Sequence, residues 1–497
     1  MKKSLVAVGV IVALGVIWTG SSWYIGKQVE DHLDDVVNQT NQELTQKLPA
    51  AGLYVSAENY QRGIFQSQLQ LVVKTTPGTA KPVLAENQSI IFNETITHGP
   101  LPQIASFNFM PGLAAVHTEL EKNPTTQPLF ELTKDQSLIN AMTHIAFDGS
   151  NASRINIVPI DYREGDEQAS FSGGLIKAEV DSKGEKVTLE GTLDSASIKV
   201  KDENDQLVQA GFNGLSFNTD SQQTFEQLRT LVNKLSFQVD GKEVAVIDGL
   251  SLYSKTDVQS GGERLSLLGN FALDALTVQG KAIGSGKLDV TLTDVDAEAL
   301  AQAVAAYNEG SRRLLANPEV VSDPEAYLQA FSAMIAEQFP LLLKGSPKLN
   351  FGPVNWKNAQ GESTFNLDIN FKDPQNAPSQ VTSAEQMIGR YVKSLDTRMV
   401  IPMPMATELM TQVAQLEGYS PEDAGKLASQ QVKGFAAMGQ MFHITKVDND
   451  NITASFTFND GQAALNGEAI SLNDLFGMFG LLPSDEEEQE APEAPQQ

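Results

Sequence analysis

Residues 89–97 read SIIFNETIT, and this stretch indicates the fold class of the chain. Its alternate positions share one face of a β-strand, because successive side chains of a strand point to opposite sides. Those positions hold Ile90, Phe92, Glu94 and Ile96. β-Branched and aromatic residues in a period of two favour a half-buried strand over a helix. The stretch therefore predicts an antiparallel sheet with one face toward a core.

The same alternation continues on both sides of this strand. Further strands are predicted at 68–73, near Phe147, and at 155–160, 169–175, 187–193 and 198–200. Polar turn sequences separate them at 181–184 (DSKG), 202–205 (DEND), 240–242 (DGK) and 260–262 (SGG). Such short connections predict antiparallel meanders, since parallel strands need long crossovers. Two helices are predicted to interrupt the strands, at 109–120 and 224–234.

Helices and strands alternate after residue 294. Helices are predicted at 296–315, 323–342, 383–392, 404–416, 421–438 and 472–479. Strands are predicted at 348–351, 363–371, 396–401, 442–447, 452–458 and 463–466. Asp323-Pro324 and Ser420-Pro421 resemble helix starts, with a capping side chain before a proline. The fold class is therefore predicted as α+β, with an antiparallel β-rich region at 49–293 and an α+β region at 294–483.

The first residues predict a membrane anchor. Residues 5–25 carry no charge and would reach about 31 Å as a helix, enough to cross a hydrocarbon core. Lys2 and Lys3 precede this segment and acidic residues follow it, so the positive-inside rule leaves the N-terminus in the cytoplasm. A cleaved signal peptide is the alternative, because small residues at 20–22 suit a cleavage site.

The remaining boundaries follow from composition. Residues 1–26 are predicted as a transmembrane anchor and 27–48 as an amphipathic juxtamembrane helix, whose apolar face would pack on the main domain or on a second copy. Residues 484–497, rich in Glu, Pro and Gln, are predicted to be a disordered acidic tail.

Composition excludes several function classes. A net charge of −27 argues against nucleic acid as a partner, because a polyanion would be repelled. The chain has no cysteine, which excludes thiol catalysis, disulfides and Cys-ligated metals.

Motif searches assign no catalytic, cofactor-binding or metal-ligating residue. None of the five histidines has a second ligand at a metal-site spacing. Residues 280–287 resemble a phosphate loop but lack its spacing, and indicate a turn with a strand. Acidic clusters at 294–296 and 448–450 resemble calcium loops but fit a helix cap at Asp294 and a hairpin turn. His98, followed by Gly99 and two prolines, is predicted to point away from the sheet and is a weak candidate for function.

Several separate segments together resemble one known family. They are MKKSLVAVGVIVALGVIWTG (1–20), YQRGIFQSQLQLVVK (60–74), QSIIFNETITHGP (88–100), WKNAQGES (356–363), MATELMTQVAQLEGY (405–419) and AMGQMF (437–442). The chain resembles the YdgA-like proteins of Gram-negative envelopes from residue 1 to about residue 479. The resemblance implies a single-pass inner-membrane protein with its bulk in the periplasm. It supplies no functional residues, since the family carries a domain-of-unknown-function label.

Three hypotheses follow. The first is a non-enzymatic protein for envelope assembly or maintenance that binds a protein or a lipid-like, amphipathic ligand in an apolar groove. The second is a structural homo-oligomer built through residues 27–48 or an open sheet edge. The third is a carboxylate-dependent hydrolase such as a glycosidase, which needs two carboxyl groups about 5–9.5 Å apart in a pocket and one raised pKa.

Overall fold

The structure is a computed structural model. It describes residues 37–42, 44–45, 51–63, 66–79, 83–99, 101–103, 106–202, 204–222, 224–259, 261–316, 320, 323–374 and 384–478. The predicted anchor at 1–26 and the predicted acidic tail at 484–497 lie outside these residues. Of the predicted helix at 27–48, residues 37–42 and 44–45 are described and are helical. None of the described helices combines the length and the apolar character needed to cross a membrane.

Most of the described chain is β-strand. The strands are β1 (Leu53–Arg62), β2 (Gln66–Thr75), β3 (Ile90–His98), β4 (Ala114–Leu120), β5 (Ile139–Ile145), β6 (Asn151–Ile157), β7 (Ile160–Glu164), β8 (Glu167–Phe171), β9 (Gly174–Val180), β10 (Lys186–Lys201), β11 (Leu207–Gln222), β12 (Phe225–Val239), β13 (Lys242–Val258), β14 (Arg264–Val278), β15 (Lys281–Asp296), β16 (Lys348–Asn358), β17 (Gly361–Phe371), β18 (Val392–Pro402), β19 (Lys446–Asp448), β20 (Asn451–Asn459), β21 (Gln462–Leu465) and β22 (Glu468–Ile470).

The helices lie mainly in the second half. They are α1 (Gln127–Leu132), α2 (Ala297–Ala316), α3 (Pro324–Leu342), α4 (Ala384–Tyr391), α5 (Met403–Leu416), α6 (Pro421–Met441) and α7 (Leu472–Met478). A large antiparallel sheet with helices confirms the α+β class. The chain divides into two compact units, one formed by residues 1–258, 273–280 and 308–331, and the other by 259–272, 281–307 and 332–497.

The first unit is an antiparallel meander with a filled core. β1 to β6 pair in chain order, β9 pairs with β6 and β10, and the ladder continues through β11 and β12 to β13. The hairpin of β7 and β8 joins the far half of β10. One face of β1 to β6 and β9 is buried under Leu44 of the N-terminal helix, Leu129 and Phe130 of α1, and Leu138.

The second unit is a shorter meander. β15, β16, β17, β18 and β20 pair in that order, all antiparallel, and the small strands β21 and β22 extend β20. α5 and α6 are in contact, and α6 carries a row of buried residues at a spacing of four, at Ala424, Ala428, Val432 and Ala436. Ser420 caps α6, because its Oγ accepts the Asp423 backbone N–H at 3.2 Å.

Several predicted elements are wrong. Phe147 lies in the turn between β5 and β6, and the turn between β8 and β9 divides the predicted strand at 169–175. Residues 114–120 of the predicted helix at 109–120 form β4, and residues 225–234 of the predicted helix at 224–234 begin β12. In both cases neighbouring strands on two sides supply a complete hydrogen-bond ladder, which overrides a local pattern compatible with either structure. Of the predicted strand at 442–447, only Lys446 and Val447 are in β19, because Phe442 is the C-cap of α6.

The α5–α6 contact generates a stability prediction. Ala428 is completely buried, so Ala428→Leu should lower the free energy of unfolding by about 1–3 kcal/mol through overpacking. Ala437→Leu adds the same volume at an exposed position of the same helix and should change stability by less than about 0.5 kcal/mol. Urea unfolding of the two variants makes the comparison, and equal effects would contradict close packing at Ala428.

Candidate functional site

The second unit carries a sheet face on which apolar side chains line up across five strands. Residues paired across an antiparallel ladder lie on the same face. Three such cross-strand rows run from β15 to β20: Leu292, Leu349, Ile369, Leu395, Phe458; Val290, Phe351, Leu367, Thr397, Phe456; and Leu288, Val354, Phe365, Met399, Ala454. We call these rows the apolar face. Its one hydroxyl, on Thr397, donates to the Asn366 carbonyl and so is satisfied within the sheet.

The opposite face of the same strands is polar. Asn350 donates from Nδ2 to Asp368, and Asn355 donates to Glu362 across the β16–β17 pair. Asp368 and Asp396 pair across β17 and β18 and are both exposed. Strands in which apolar and polar residues alternate expose the polar face to solvent and bury the apolar face against other groups.

The cover on the apolar face is uneven. Toward β20 and β21, Phe458, Ala463 and Leu472 form a buried cluster with side chains of α4 and α7. At one end, the Phe339 ring of α3 meets the rings of Phe371 and Tyr391 edge-on, with centroids 6.1 and 6.2 Å apart. On β15 to β18, by contrast, the side chains of the rows are only half-buried. The four strand spacings from β15 to β20 make the face about 19 Å wide.

Trp356 extends the apolar face by one further row. It lies opposite Gly286 of β15 and Ser363 of β17, on the side of the sheet that Val354 occupies. The indole lies against β15 at Gly284, where a Cβ would be 2.8 Å from Nε1 and 2.4 Å from the Lys357 carbonyl oxygen. Only glycine allows this approach, and its φ of +146° is also one that other residues rarely adopt.

The indole N–H of Trp356 is buried and has no acceptor among the described residues. An indole nitrogen can only donate, and a buried donor without an acceptor costs about 1–3 kcal/mol. The arrangement therefore combines an apolar surface with one unused donor at its margin. Such a surface can hold an extended apolar chain. Sequence reasoning missed it, because Trp356 and Gly284 are distant in the chain.

A surface cavity lies beside the C-terminal end of α6. A cavity of about 670 Å³ is lined by His443, Leu465, Glu468 and residues of β22 and α7. Most of these side chains are exposed, and the Lys446–Glu468 ion pair beside it is long, at 4.0 Å. The cavity therefore has the character of an open surface depression.

His98 does not point away from the sheet as predicted. Its Nε2 lies 3.0 Å from the hydroxyl of Ser67 on the neighbouring strand β2, and that hydroxyl also lies 3.4 Å from the Tyr60 hydroxyl. Gly99 continues the ladder with β4, since its N–H donates to the Leu113 carbonyl at 2.6 Å. Backbone pairing beyond the strand end keeps the imidazole against the sheet.

The other motif-like segments form turns and a helix cap, as predicted, although the capping residue differs. Residues 280–287 form the β14–β15 turn and the start of β15, and residues 448–450 belong to the β19–β20 hairpin. The helix cap is Asp296 and not Asp294, because Asp296 Oδ1 accepts the Ala299 N–H at 2.8 Å. This hydrogen bond, assisted by Lys344, lowers the pKa of Asp296 despite partial desolvation.

Glu94 is the described carboxyl group with the strongest upward pKa shift. It lies on the core face of β3, paired with Leu69 of β2 and Thr118 of β4, and is almost fully buried. Desolvation raises the pKa of Glu94 to about 8, although the Thr118 hydroxyl donates to Oε2 at 2.6 Å. Its other oxygen, Oε1, has no hydrogen-bond partner among the described residues.

A raised pKa alone does not make Glu94 a general acid. A catalytic carboxyl group must reach the substrate and work with a second carboxylate across a pocket. Glu94 is instead surrounded by the apolar core of the first unit, which also contains its strand neighbours Phe92 and Ile96. Its raised pKa is therefore a consequence of burial in the folded core.

The chain belongs to a family of bacterial proteins of unknown function, DUF945, whose model matches residues 1–473. It is 41% identical over 490 residues to Protein YdgA of Escherichia coli K12, which covers 97% of both chains. It is 29% identical over 497 residues to the uncharacterized protein YihF of the same organism, covering 97% of this chain and 99% of that one. An uncharacterized Haemophilus influenzae protein matches 36% of this chain at 28% identity, over 49% of its own length. No solved structure matches.

The buried carboxyl group predicts a pH-dependent stability. The folded state holds the Glu94 proton up to about pH 8, whereas an unfolded glutamate loses it near pH 4.5. The folded state thus binds more protons between these values, and its stability falls as pH rises by about 1 kcal/mol per pH unit. Glu94→Gln mimics the neutral acid and should remove this decline.

Hydrogen exchange of β3 and β4 amides at pH 5 and pH 7.5 measures the decline as lost protection. Glu119→Gln is the matched control, because it neutralises an exposed carboxylate on the adjacent strand and should leave the decline in place. An identical decline in the Glu94→Gln protein would show that Glu94 is not the titrating group.

The Trp356–Gly284 contact generates another prediction. Gly284→Ala should lower the free energy of unfolding by more than about 1 kcal/mol and shift the Trp356 emission, because the new methyl group would collide with the indole. Gly280→Ala also places alanine at a positive φ, of +77°, but its Cβ would meet nothing within 4 Å. It should therefore leave the Trp356 emission unchanged, as fluorescence and urea unfolding of both variants would establish.

Proposed function

We propose that this chain is a membrane-anchored periplasmic protein that holds a lipid-like molecule on its apolar face. Its role is non-enzymatic and serves envelope assembly or maintenance. The observation that carries the proposal is the apolar face itself, which is half-buried over β15 to β18 and bordered by the unused Trp356 N–H.

The dimensions of the apolar face suit an acyl chain. The face is about 19 Å wide, and an acyl chain fills one leaflet, about half of a 30 Å hydrocarbon core. Each buried methylene contributes about 0.8 kcal/mol, so a dozen would supply roughly 10 kcal/mol before the cost of ordering the chain. The rows offer almost no polar group to bind anything else.

Trp356 accounts for the amphipathic part of the ligand. A neutral N–H donor at the margin of an apolar surface fits an ester or amide carbonyl oxygen, the first polar atom of most lipids after the acyl chain. Because Nε1 is buried, a ligand acceptor reaches it only when the indole turns outward, and that hydrogen bond would relieve the unpaired donor.

The charge distribution at the start of the chain supports the proposed location. The uncharged segment at 5–25, with lysines before it and acidic residues after it, supports a single-pass anchor in the inner membrane and a periplasmic body. A periplasmic protein between two membranes would meet lipids on both sides.

The two alternatives have weaker support. In the helical residues 37–42 and 44–45, Leu44 is buried in the first unit's own core and Asn41 bonds to both backbone groups of Val55. This part of the segment therefore favours packing within one chain over self-association. For a hydrolase, the carboxyl group with a raised pKa, Glu94, is sealed from substrate.

Native mass spectrometry of the full-length protein, extracted gently from its own membrane, tests the proposal. The wild type should retain a lipid-sized adduct, and Leu367→Asn should reduce the adduct at least tenfold by placing an amide in the middle row. Trp356→Phe keeps an aromatic ring but removes the donor, so it should reduce retention more mildly. Asp368→Asn changes the next residue on the polar face and should retain the adduct.

Lipids held by the anchor alone would remain equally in all four proteins. An adduct insensitive to Leu367→Asn and Trp356→Phe would therefore refute binding at the apolar face. Circular dichroism of each variant confirms that the sheet has formed.

A further inference from the structure

A cluster of large apolar side chains stands exposed at one end of the first unit's sheet. In the connection between β3 and β4, Phe107 is 87% exposed, Phe109 64% and Met110 55%. Phe147, in the turn between β5 and β6, is 58% exposed. Both connections leave the same end of the sheet, because β4 pairs with β3 and β5. We call these four residues the aromatic tip.

Hydrogen bonds hold the β3–β4 connection in shape. Asn108 donates from its backbone N–H and from Nδ2 to Gln103, at 3.3 and 2.7 Å, and its Oδ1 accepts the Met110 N–H at 3.1 Å. At the base, the Leu113 N–H donates to the Ile145 carbonyl at 2.8 Å. These contacts order the backbone around Asn108 and so reduce the backbone entropy that binding would cost.

Three of the four residues of the aromatic tip lie in a stretch without charge. Residues 95–118 contain no Asp, Glu, Lys or Arg, although the whole chain carries a net charge of −27. Asp148 follows Phe147 in the same turn, and the other turns at this end of the sheet carry Arg62, Asp181, Lys183 and Glu185. The backbone N–H and the hydroxyl of Ser150 hold the Asp148 carboxylate at the border of the tip. The β3–β4 part of the tip is therefore neutral, on a strongly acidic protein.

We propose that the aromatic tip inserts into the interfacial zone of a lipid bilayer. Aromatic rings favour this zone, and a neutral tip can enter it without the basic residues that electrostatic membrane binding requires. Exposure of four such side chains in water is otherwise unfavourable, at about 25 cal/mol for each Å² of apolar surface. The proposal identifies a lipid surface as the occupant and makes the tip a second point of membrane contact.

The inference rests on the anchored location proposed above, and the reach of the chain permits it. Positions 25 and 37 are twelve steps apart, which is up to about 40 Å for an extended segment and about 18 Å for the predicted helix. β3, from one end of the sheet to the tip, is about 30 Å long. The anchor and the tip meet the same bilayer when this segment is extended.

The absence of native cysteine allows a direct test on the full-length protein. Phe109→Cys, labelled with an environment-sensitive nitrobenzoxadiazole probe, is reconstituted into phosphatidylcholine vesicles that contain spin-labelled lipid. Thr76→Cys labels an exposed turn at the opposite end of the sheet, and Ser22→Cys labels the predicted anchor. The probe at 109 should shift to the blue and be quenched several-fold, as at 22, whereas the probe at 76 should not.

The outcomes separate the tip from the anchor. Quenching at 22 without quenching at 109 would overturn the tip proposal and leave the anchor standing. Absence of quenching at both positions would overturn the two together. A blue shift at 109 that lipid quenchers do not affect would assign the tip to a protein contact, such as a second copy, and would also overturn bilayer insertion.

Discussion

The antiparallel backbone ladder is the constraint on which the whole structure depends. Once two neighbours pair, each strand must turn alternate side chains to opposite faces, and the composition of those faces decides what the sheet does. In the first unit, β1 to β6 commit one face to a core that helices and loops close. In the second unit, the same rule produces an apolar face that its helices cover only in part. One rule thus gives a stable body in one unit and a candidate binding surface in the other.

Glu94 and Trp356 each place a polar group among apolar residues, and their environments differ. Glu94 enters a closed core, where it stays neutral and gives up stability as pH rises toward about 8. Trp356 lies at the margin of a half-buried face, where its donor has no acceptor among the described residues. A carboxyl group can respond to burial by keeping its proton, but an indole N–H has no such route.

A binding face of this kind explains why motif searches assign no site. Catalytic and metal motifs depend on a few reactive side chains at fixed spacings, whereas an apolar face is made of ordinary residues such as Leu349 and Leu367 that any strand can contain. The relatives do not indicate a reaction or a ligand, because the family is described as one of unknown function and YihF is named as uncharacterized.

The α+β class and most strands could be predicted from the sequence, because the alternation of apolar and polar residues, as in residues 89–97, is a local pattern. Helix α6 could also be predicted, because its capping residue Ser420 is next to it in the sequence. Residues 114–120 and 225–234 could not, since pairing partners on both sides decided between strand and helix. The contact of Trp356 with Gly284 and the exposure of Phe107 depend on segments that only the fold brings together or leaves uncovered. Periodicity reports which face a side chain occupies, but tertiary packing alone decides whether that face is covered.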